Sequence, residues 1–535
     1  MKAFESKLQP LSTTFLANSE EMLEKIAEFR GLEQKVRALS ASKRARFEKR
    51  GQLLPRERLM NLVDRGTPLL ELSTLAGLGM HDDDGEENVM GGGSIVAIGT
   101  VSGKRVLIFV SDSGIKGGTV APMGLKKTLR AQEIVAAWSL PVIYLVESGG
   151  ANLLYQSELF VEGGKSFANQ ARLSAAGIPQ VAVVHGSSTA GGAYLPALSD
   201  YVILVEGRSK VFLAGPPLVK AAIGEDATEE ELGGARLHVE QTGLGDYLAH
   251  DDKHALAIAR NLFTRIGWPA VDEGETAPPC FAAEELLGIV PVNNAEPYDV
   301  REVIARIVDE SKFLEFKANY GSETICAHVE IGGHQLGILG NNGPIQPAGS
   351  TKAAQFIQLC NQSEIPLLFL QNTTGFMVGK EAEQAGAIKH GAKMIQAVAN
   401  ARVPKLVVVI GGSYGAGNYG MCGRGFDPSF IFSWPTARTA VMGGAQAAKV
   451  MALVMAGKMK RMGQSADDET LAAWTAPIEK QLNEEAHVLF GTARLWDDGV
   501  IDPRDTRRVL RLCLDVIKES KTRNPKPNTF GVARL

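Results

Sequence analysis

The most informative segment of this sequence is His185-Gly-Ser-Ser-Thr-Ala-Gly-Gly-Ala-Tyr194. It directly follows Val181–Val184, an apolar run of the length expected for a buried strand. A strand that runs into small residues and then into a helix exposes backbone N–H groups at the helix N-terminus. These donors can hold an oxyanion without any side chain. For a single turn of this kind, close packing of the strand on the helix is the simpler explanation.

A second segment of the same kind occurs later in the chain. The segment Ile410-Gly-Gly-Ser-Tyr-Gly-Ala-Gly-Asn-Tyr419 lies 225 positions further on. The same offset joins Pro141 to Pro366 and Pro179 to Pro404, and an apolar run follows each of these prolines. An ungapped register over more than seventy residues indicates a duplicated domain. Two turns in matching positions favour a function for both, because a duplicated enzyme can use one oxyanion hole for each of two substrates.

The pattern around the turns predicts an α/β fold. Apolar runs of strand length alternate with stretches of helical length and composition, namely Val106–Val110, Met123–Trp138, Val142–Val146, Gly164–Ala176 and Val181–Val184. Strands separated by helices imply crossover connections. Prolines cluster between the two copies, and we predict an N-terminal helical segment over residues 1–60, a first domain over 61–288 and a second domain over 289–535.

Composition narrows the class of protein. A chain of 535 residues needs more than one core, and a net charge of −4 gives no support for a nucleic-acid or membrane-surface partner. The five cysteines are far apart, which argues against a disulfide framework and a zinc ribbon. With no apolar signal core and no apolar run long enough to span a membrane, we expect a cytoplasmic protein.

Several longer motifs then point to one family. They are Gly51-Gln-Leu-Leu-Pro-Arg-Glu-Arg58, Lys116-Gly-Gly-Thr119, Glu147-Ser-Gly-Gly-Ala-Asn-Leu153, Phe212-Leu-Ala-Gly-Pro-Pro-Leu-Val-Lys220, Glu231-Leu-Gly-Gly-Ala235, Thr374-Gly-Phe-Met-Val-Gly379 and Tyr414-Gly-Ala-Gly-Asn-Tyr-Gly-Met-Cys-Gly-Arg424. Through them, nearly the whole chain resembles the carboxyltransferase β subunits of biotin-dependent acyl-CoA carboxylases, in the 3-methylcrotonyl-CoA and geranyl-CoA branch. The resemblance implies two tandem crotonase-like (ClpP/crotonase) domains, in agreement with the repeat.

The resemblance also implies a reaction and its residues. CO2 passes from carboxybiotin to an acyl-CoA, so the thioester enolate and the biotin ureido oxygen both need stabilisation. The resemblance assigns the amides of Gly191 and Gly192 to the thioester, and those of Ala416 and Gly417 to biotin. Other residues expected to bind substrate or cofactor are Gly149, Gly150, Ala168, Ala190, Gly215, Gly375, Phe376 and Gly415.

The sequence leaves the identity of the acyl group open between a branched unsaturated one and two alternatives. Phe167-Ala168-Asn169-Gln170 stands where 3-methylcrotonyl enzymes have two adjacent phenylalanines. If Ala168 faces the pocket, the missing ring leaves room for a longer chain such as geranyl, although Ala168 can equally face the core. The alternatives are a propionyl- or acetyl-CoA-type carboxyltransferase and a biotin-dependent decarboxylase subunit on the same fold.

Biotin is expected on a partner. Lys458-Met459-Lys460 lies in a helical stretch and lacks the flanks of the family's Ala/Val-Met-Lys-Met carrier motif. The resemblance therefore implies a separate biotin carboxylase and biotin carrier subunit, with no metal on this chain. It also implies a homo-hexameric core, in which one chain's N-terminal domain and another chain's C-terminal domain form each active site.

Three polar features near the turns have competing interpretations. His185 is predicted to be a packed or hydrogen-bonded histidine and not a base, while Glu147 and Asn152 either line the cleft or stabilise the turn between them. The basic segment 42–50 is predicted to be a solvated helix face or a docking surface, with phosphate contact as the alternative.

Overall fold

The computed structural model describes residues 2–81, 90–271, 274, 276–293, 296–463 and 467–532. The chain divides into two compact units. The first unit comprises Gly31–Glu273, Ala493–Leu495 and Leu514–Leu535, and the second comprises Met1–Arg30, Gly274–Thr492 and Trp496–Cys513. These units are discontinuous along the chain, unlike the domains predicted as 1–60, 61–288 and 289–535, and those predicted bounds stay a prediction.

The first unit contains an eight-stranded sheet. Its strands are β1 (Leu70–Leu72), β2 (Ser94–Val101), β3 (Lys104–Ser111), β4 (Val142–Ser148), β5 (Gln180–Thr189), β6 (Tyr201–Val205), β7 (Lys210–Phe212) and β8 (Tyr247–Ala249). The order is β1-β2-β3-β4-β5-β6-β8, and β7 pairs with the end of β5. Pairing is antiparallel from β1 to β3 and parallel from β3 onward.

The second unit contains a seven-stranded sheet of the same design. Its strands are β9 (Phe313–Glu315), β10 (Thr324–Ile331), β11 (His334–Asn341), β12 (Leu367–Thr373), β13 (Lys405–Tyr414), β14 (Phe430–Ser433) and β15 (Arg438–Ala440). The order is β14-β13-β12-β11-β10-β9, and β15 pairs with the end of β13. The hairpin β10–β11 is antiparallel, whereas β11, β12, β13 and β14 are parallel neighbours.

Helices connect and cover the strands. The α-helices are α1 (Thr13–Ala41), α2 (Arg44–Lys49), α3 (Pro55–Leu62), α4 (Pro122–Trp138), α5 (Gln156–Ala175), α6 (Tyr194–Ala197), α7 (Pro216–Ile223), α8 (Glu229–Gly233), α9 (Ala235–Glu240), α10 (Asp252–Arg265), α11 (Leu286–Ile289), α12 (Val300–Ile307), α13 (Pro347–Gln362), α14 (Lys380–Gln384), α15 (Ala387–Asn400), α16 (Gly415–Gly420), α17 (Gly444–Arg461), α18 (Asp468–Glu485), α19 (Val488–Ala493) and α20 (Thr506–Ser520). The predicted strands and the α/β class are confirmed. The predicted helix 164–176 begins earlier, at Gln156, because Tyr155 ends the preceding 3₁₀ turn.

The central strands are apolar on both faces, as parallel strands covered by helices must be. In the first unit, Val106, Ile143, Val181 and Ile203 are fully buried in one cluster that also includes Phe263 of α10. The offset of 225 residues holds for β4 with β12, for β5 with β13 and for the first residues of α4 and α13. It fails for β3 and β11, because residues 112–121 before α4 are replaced by the shorter connection 342–346 before α13.

Candidate active site at the two glycine turns

The first glycine turn joins β5 to a short helix. The strand ends at Thr189, a 3₁₀-helix covers Ala190–Ala193, and α6 follows. Ala190 has a φ of 53°, a left-handed backbone conformation that is unfavourable for a residue with a Cβ atom. The turn therefore holds its shape against a local energetic cost, which is common at binding and catalytic sites.

The second glycine turn has the same backbone at the equivalent position. β13 ends at Tyr414, α16 begins at Gly415, and the φ of Gly415 is 54°. Ala190 and Gly415 are 225 positions apart, so the duplication extends to this unusual conformation. Glycine adopts it without the cost that Ala190 bears.

The helix type decides which amides are available. In an α-helix, the first three residues have N–H groups without an intrahelical acceptor, and in α16 these residues include Ala416 and Gly417. A 3₁₀-helix bonds each N–H to the carbonyl three residues earlier, so the amide of Gly192 has an acceptor at Thr189, whereas that of Gly191 has none within the helix. The two turns thus present different sets of backbone donors.

Space around the turns differs from one position to the next. A Cβ atom built on Gly191 would have Phe167 Cζ, at 4.0 Å, as its nearest neighbour. On Gly192 it would lie 3.1 Å from Ser148 Oγ, and on Gly417 only 2.7 Å from the Cα of Gly375. Gly417 therefore has to be glycine for packing alone, whereas Gly191 has open space in front of it.

The loops after β4 and β12 flank the turns in the same way. A Cβ atom on Gly150 would lie 3.3 Å from Thr189 O, and one on Gly375 would lie 3.6 Å from Tyr414 O. Each of these glycines accepts an equivalent backbone hydrogen bond, from Val120 to Gly150 and from Ile345 to Gly375. Gly149, next to Gly150, donates its amide to Gly118 O at 3.3 Å.

The remaining predicted residues lie at varying distance from the turns. Phe376 packs against α15 and α16, because Cβ atoms on Gly391 and Gly420 would lie 3.3 and 2.9 Å from its ring. Gly215 precedes α7 and touches Phe212, whose partner in the sheet is Thr189 of the first turn. Ala168 is half-buried on α5 beside Phe167, and it is Phe167 that reaches the first turn.

A cavity of about 550 Å³ opens beside the second turn. Its lining includes Gly415 and Ala416 from the turn, together with Tyr419, His487 and Asp497. Burial raises the pKa of Asp497 to about 6, and burial followed by the charge of Arg438 lowers the pKa of His487 to about 4. At neutral pH this wall therefore carries a carboxylate and a neutral imidazole.

Polar residues near the first turn have structural roles. His185 is fully buried, its Nδ1 lies 2.9 Å from Asp252 Oδ1, and burial together with the charge of Arg58 lowers its pKa. The prediction of a packed, hydrogen-bonded histidine is confirmed. Glu147 is buried in an ion pair with Arg58, and Asn152 accepts a hydrogen bond from Leu154 N, which supports the turn that follows β4.

The two turns are best suited to stabilising negative charge on an oxygen atom. Each unit presents backbone donors at a strand–glycine–helix turn, and together the fold and the turns define a duplicated crotonase-like enzyme of acyl-CoA chemistry. Among the described residues, no group of three or more His, Cys, Asp or Glu side chains is arranged to hold a metal ion, and no described helix is long and apolar enough to cross a membrane.

Comparison with known proteins identifies the family. The model of the carboxyl transferase domain matches residues 46–531, and the chain belongs to this family. It is 46% identical over 553 residues to a probable methylcrotonoyl-CoA carboxylase beta chain of Drosophila melanogaster, covering 99% of this chain and 95% of the relative. It is 50% identical over 495 residues to a probable biotin-dependent acyl-coenzyme A carboxylase beta2 subunit of Mycobacterium tuberculosis, covering 92% of each.

A solved structure agrees over the full length. The crystal structure of the beta subunit of P. aeruginosa geranyl-CoA carboxylase is 55% identical, covers 100% of both chains and superposes with a TM-score of 0.93. The chain is therefore a carboxyltransferase β subunit of the biotin-dependent acyl-CoA carboxylase type.

Proposed function

We propose that this chain transfers the carboxyl group of carboxybiotin to a branched, unsaturated acyl-CoA, and that geranyl-CoA is preferred to 3-methylcrotonyl-CoA. The observation that carries the preference is Ala168. It stands beside Phe167, which reaches the first turn, at a position where the 3-methylcrotonyl pattern has a second ring. An alanine there leaves room for the longer geranyl chain.

The two turns are proposed to bind different substrates, with the acyl-CoA at the first turn. Gly191 and Gly192 would donate their amides to the thioester oxygen, where negative charge develops as the acyl-CoA loses its proton. Because Gly192 N–H also has Thr189 as an acceptor in the 3₁₀-helix, Gly191 would be the stronger donor. One such donor is worth about 10²–10³ in rate.

The second turn would serve the biotin side. The cavity beside Gly415 and Ala416 has a volume of about 550 Å³ and is lined by both polar and apolar groups, which suits a small bicyclic urea. When bound, carboxybiotin supplies the CO2 and then a base. Ala416 and Gly417 would donate their amides to the ureido oxygen, and their first-turn position in α16 leaves both free to do so.

The assignment of one turn to biotin implies partner subunits. Biotin would arrive on a separate biotin carboxylase and carrier subunit, because Lys458 lies inside α17 and not in a small β domain. We propose a six-copy core, supported by exposed apolar side chains on α5 (Phe160 and Val161) and on α17 (Leu453 and Val454). A cytoplasmic location is also proposed, since none of the five cysteines, all within the described residues, forms a disulfide bond.

A competition experiment tests the substrate proposal. The holoenzyme, assembled with its biotin carboxylase partner, would be supplied with geranyl-CoA and 3-methylcrotonyl-CoA together, and carboxylation of each would be measured. We expect a higher kcat/KM for geranyl-CoA. In Ala168→Phe, we expect the ratio to fall about 10- to 200-fold, because the added ring fills the end of the pocket.

The ratio of the two substrates is its own control, since any loss of folded enzyme affects both equally. A wild-type preference for 3-methylcrotonyl-CoA would contradict the larger-pocket proposal, and an unchanged ratio in Ala168→Phe would place Ala168 outside the pocket.

A further inference from the structure

Both glycine turns are preceded by the same irregularity in the sheet. β4 and β5 pair at Val146–Val184 and next at Ser148–Ser188, so that one residue of β4 faces three of β5. The pairs Gln371–Val409 and Thr373–Ser413 enclose the same irregularity between β12 and β13. Such a bulge bends the longer strand and redirects the residues that follow. Here the residues that follow are those of the glycine turns.

The single residue opposite each bulge is polar and buried. It is Glu147 in the first sheet and Asn372 in the second, 225 positions apart. A Cβ atom on Gly186, in the first bulge, would lie 2.7 Å from Glu147 Oε1, and one on Gly411, in the second, would lie 2.6 Å from Asn372 Oδ1. Each polar side chain therefore fills the space that the glycine of its bulge leaves open.

The Glu147 side chain is held by buried contacts. Arg58 Nη2 lies 2.8 Å from Glu147 Oε2, and Arg58 Nε lies 3.3 Å from Asp252 Oδ2. Asp252 in turn contacts His185 of the bulge, and the Gln52 side-chain amide donates to the backbone carbonyl of His185 at 2.7 Å. Separating such a buried pair would leave an uncompensated charge, which is energetically costly. The two side chains are therefore held in one place.

The second side chain is held without charges. Asn372 Oδ1 accepts the backbone N–H of Gly412, in the bulge itself, at 2.8 Å. The two copies thus support the same backbone irregularity with different chemistry, a buried ion pair in one and a neutral hydrogen bond in the other.

We propose that Glu147 and Asn372 are positioning residues, each of which fixes the bulge that aims the backbone amides of its own turn, with Arg58 holding Glu147 in place. This inference rests on the proposed function of the turns. Neither side chain needs to touch a substrate. A misplacement of the donors by about 1 Å can cost about a hundredfold in rate, so a support of this kind has a direct effect on catalysis.

The test uses Glu147→Gln, which keeps the volume of the side chain and removes its charge. In the holoenzyme, we expect kcat to fall about tenfold to a hundredfold. The KM for the acyl-CoA should stay within about threefold, because the loss concerns the transition state and not ground-state binding. Thermal melting would confirm that the chain is folded at the assay temperature.

Glu302→Gln is the matched control. Glu302 is also a buried carboxylate paired with an arginine, at 2.7 Å from Arg306, but its other contacts are with Ser6 Oγ and the backbone N–H of Lys7. Glu302→Gln should lose about as much stability as Glu147→Gln and keep the kcat of the wild type. A fall in kcat that is equal in the two variants would show a merely structural role and overturn the proposal.

A second variant covers the case in which Glu147→Gln does not fold. Gln52→Met removes the hydrogen bonds that the Gln52 side-chain amide donates to the bulge carbonyl of His185, at 2.7 Å, and to Glu147 Oε1, at 3.4 Å, and should lower kcat about tenfold. Wild-type kcat in Gln52→Met, or in a folded Glu147→Gln, would overturn the inference. Because the wild-type holoenzyme is assayed alongside, its own failure to carboxylate any acyl-CoA would instead contradict the proposed function.

Discussion

At the scale of single residues, the two turns show what duplication keeps and what it changes. Ala190 and Gly415 share a left-handed backbone conformation, with φ angles of 53° and 54°, although only one of them is a glycine. The shape of the turn is therefore imposed by the surrounding strand and helix and not by the local residue type. The repeat in the sequence predicts the equivalence of these positions, but no local pattern predicts an alanine in this conformation.

A buried lysine offers a test at the same scale. Lys127 is buried on α4 and donates to the carbonyls of Gly91 and Ser94, at 3.2 and 2.8 Å. Burial lowers its pKa to about 7. In the unfolded chain the pKa is about 10.4, so between about pH 7 and pH 10 the unfolded state binds more protons and stability rises with pH.

We predict that this rise is specific to the lysine. The contribution of Lys127 to the free energy of unfolding should rise by about 1.4 kcal/mol per pH unit between about pH 7 and pH 10. The measurement is the melting midpoint at a series of pH values for the wild type and for Lys127→Met. The difference between the two should change steadily with pH in favour of the wild type, and parallel curves would contradict the lowered pKa.

At the scale of secondary-structure elements, glycines set how closely loops approach helices. Gly92 belongs to a run of three left-handed glycines before β2, and a Cβ atom on it would lie 2.8 Å from the Cα of Gly124 in α4. In the second unit, Gly321 approaches Gly349 of α13 in the same way, at 2.7 Å from its backbone N. Gly349 is the repeat partner of Gly124, so this packing was duplicated together with the turns.

The close approach can be separated from backbone strain by two substitutions. Gly103 is also left-handed, with a φ of 75°, but a Cβ atom there would meet nothing within 4 Å. Gly103→Ala should cost about 1–2 kcal/mol from backbone strain alone. Gly92→Ala should cost about 1–3 kcal/mol more, because the loop must move away from α4. Denaturant unfolding measures both, and equal losses would show that the contact with Gly124 contributes nothing.

At the scale of the whole molecule, the repeat explains how much could be predicted from the sequence. The runs 106–110, 142–146 and 181–184 lie inside β3, β4 and β5, because strands buried on both faces are continuously apolar. The support around Glu147 was not predicted, although Arg58 and Glu147 both lie in motifs shared with the family. Gln52, Arg58, Glu147, His185 and Asp252 come together only through the fold, and no periodic pattern links positions so far apart.

The proposed assembly of several copies can be tested with mixed oligomers. If each active site combines the first turn of one copy with the second turn of another, two inactive variants should complement each other in mixed oligomers. Gly191→Val and Ala416→Pro would be purified separately, dissociated and reassembled together. We expect partial recovery of activity, since some sites then combine two intact turns. Recovery no greater than in each variant reassembled alone would contradict a shared site.

Backbone amides, and not side chains, are proposed to carry the chemistry at both turns. Ala416→Pro tests it most directly, because proline removes the amide donor at a first-turn position of α16 where the helix itself does not use it. Ala416→Gly is the control, since it keeps the amide and removes only a methyl group. The measurement is kcat for carboxyl transfer in the holoenzyme, with melting midpoints to confirm folding. We predict a loss of about 10²–10³ in Ala416→Pro and little change in Ala416→Gly. A folded Ala416→Pro enzyme with the kcat of the wild type would contradict the claim.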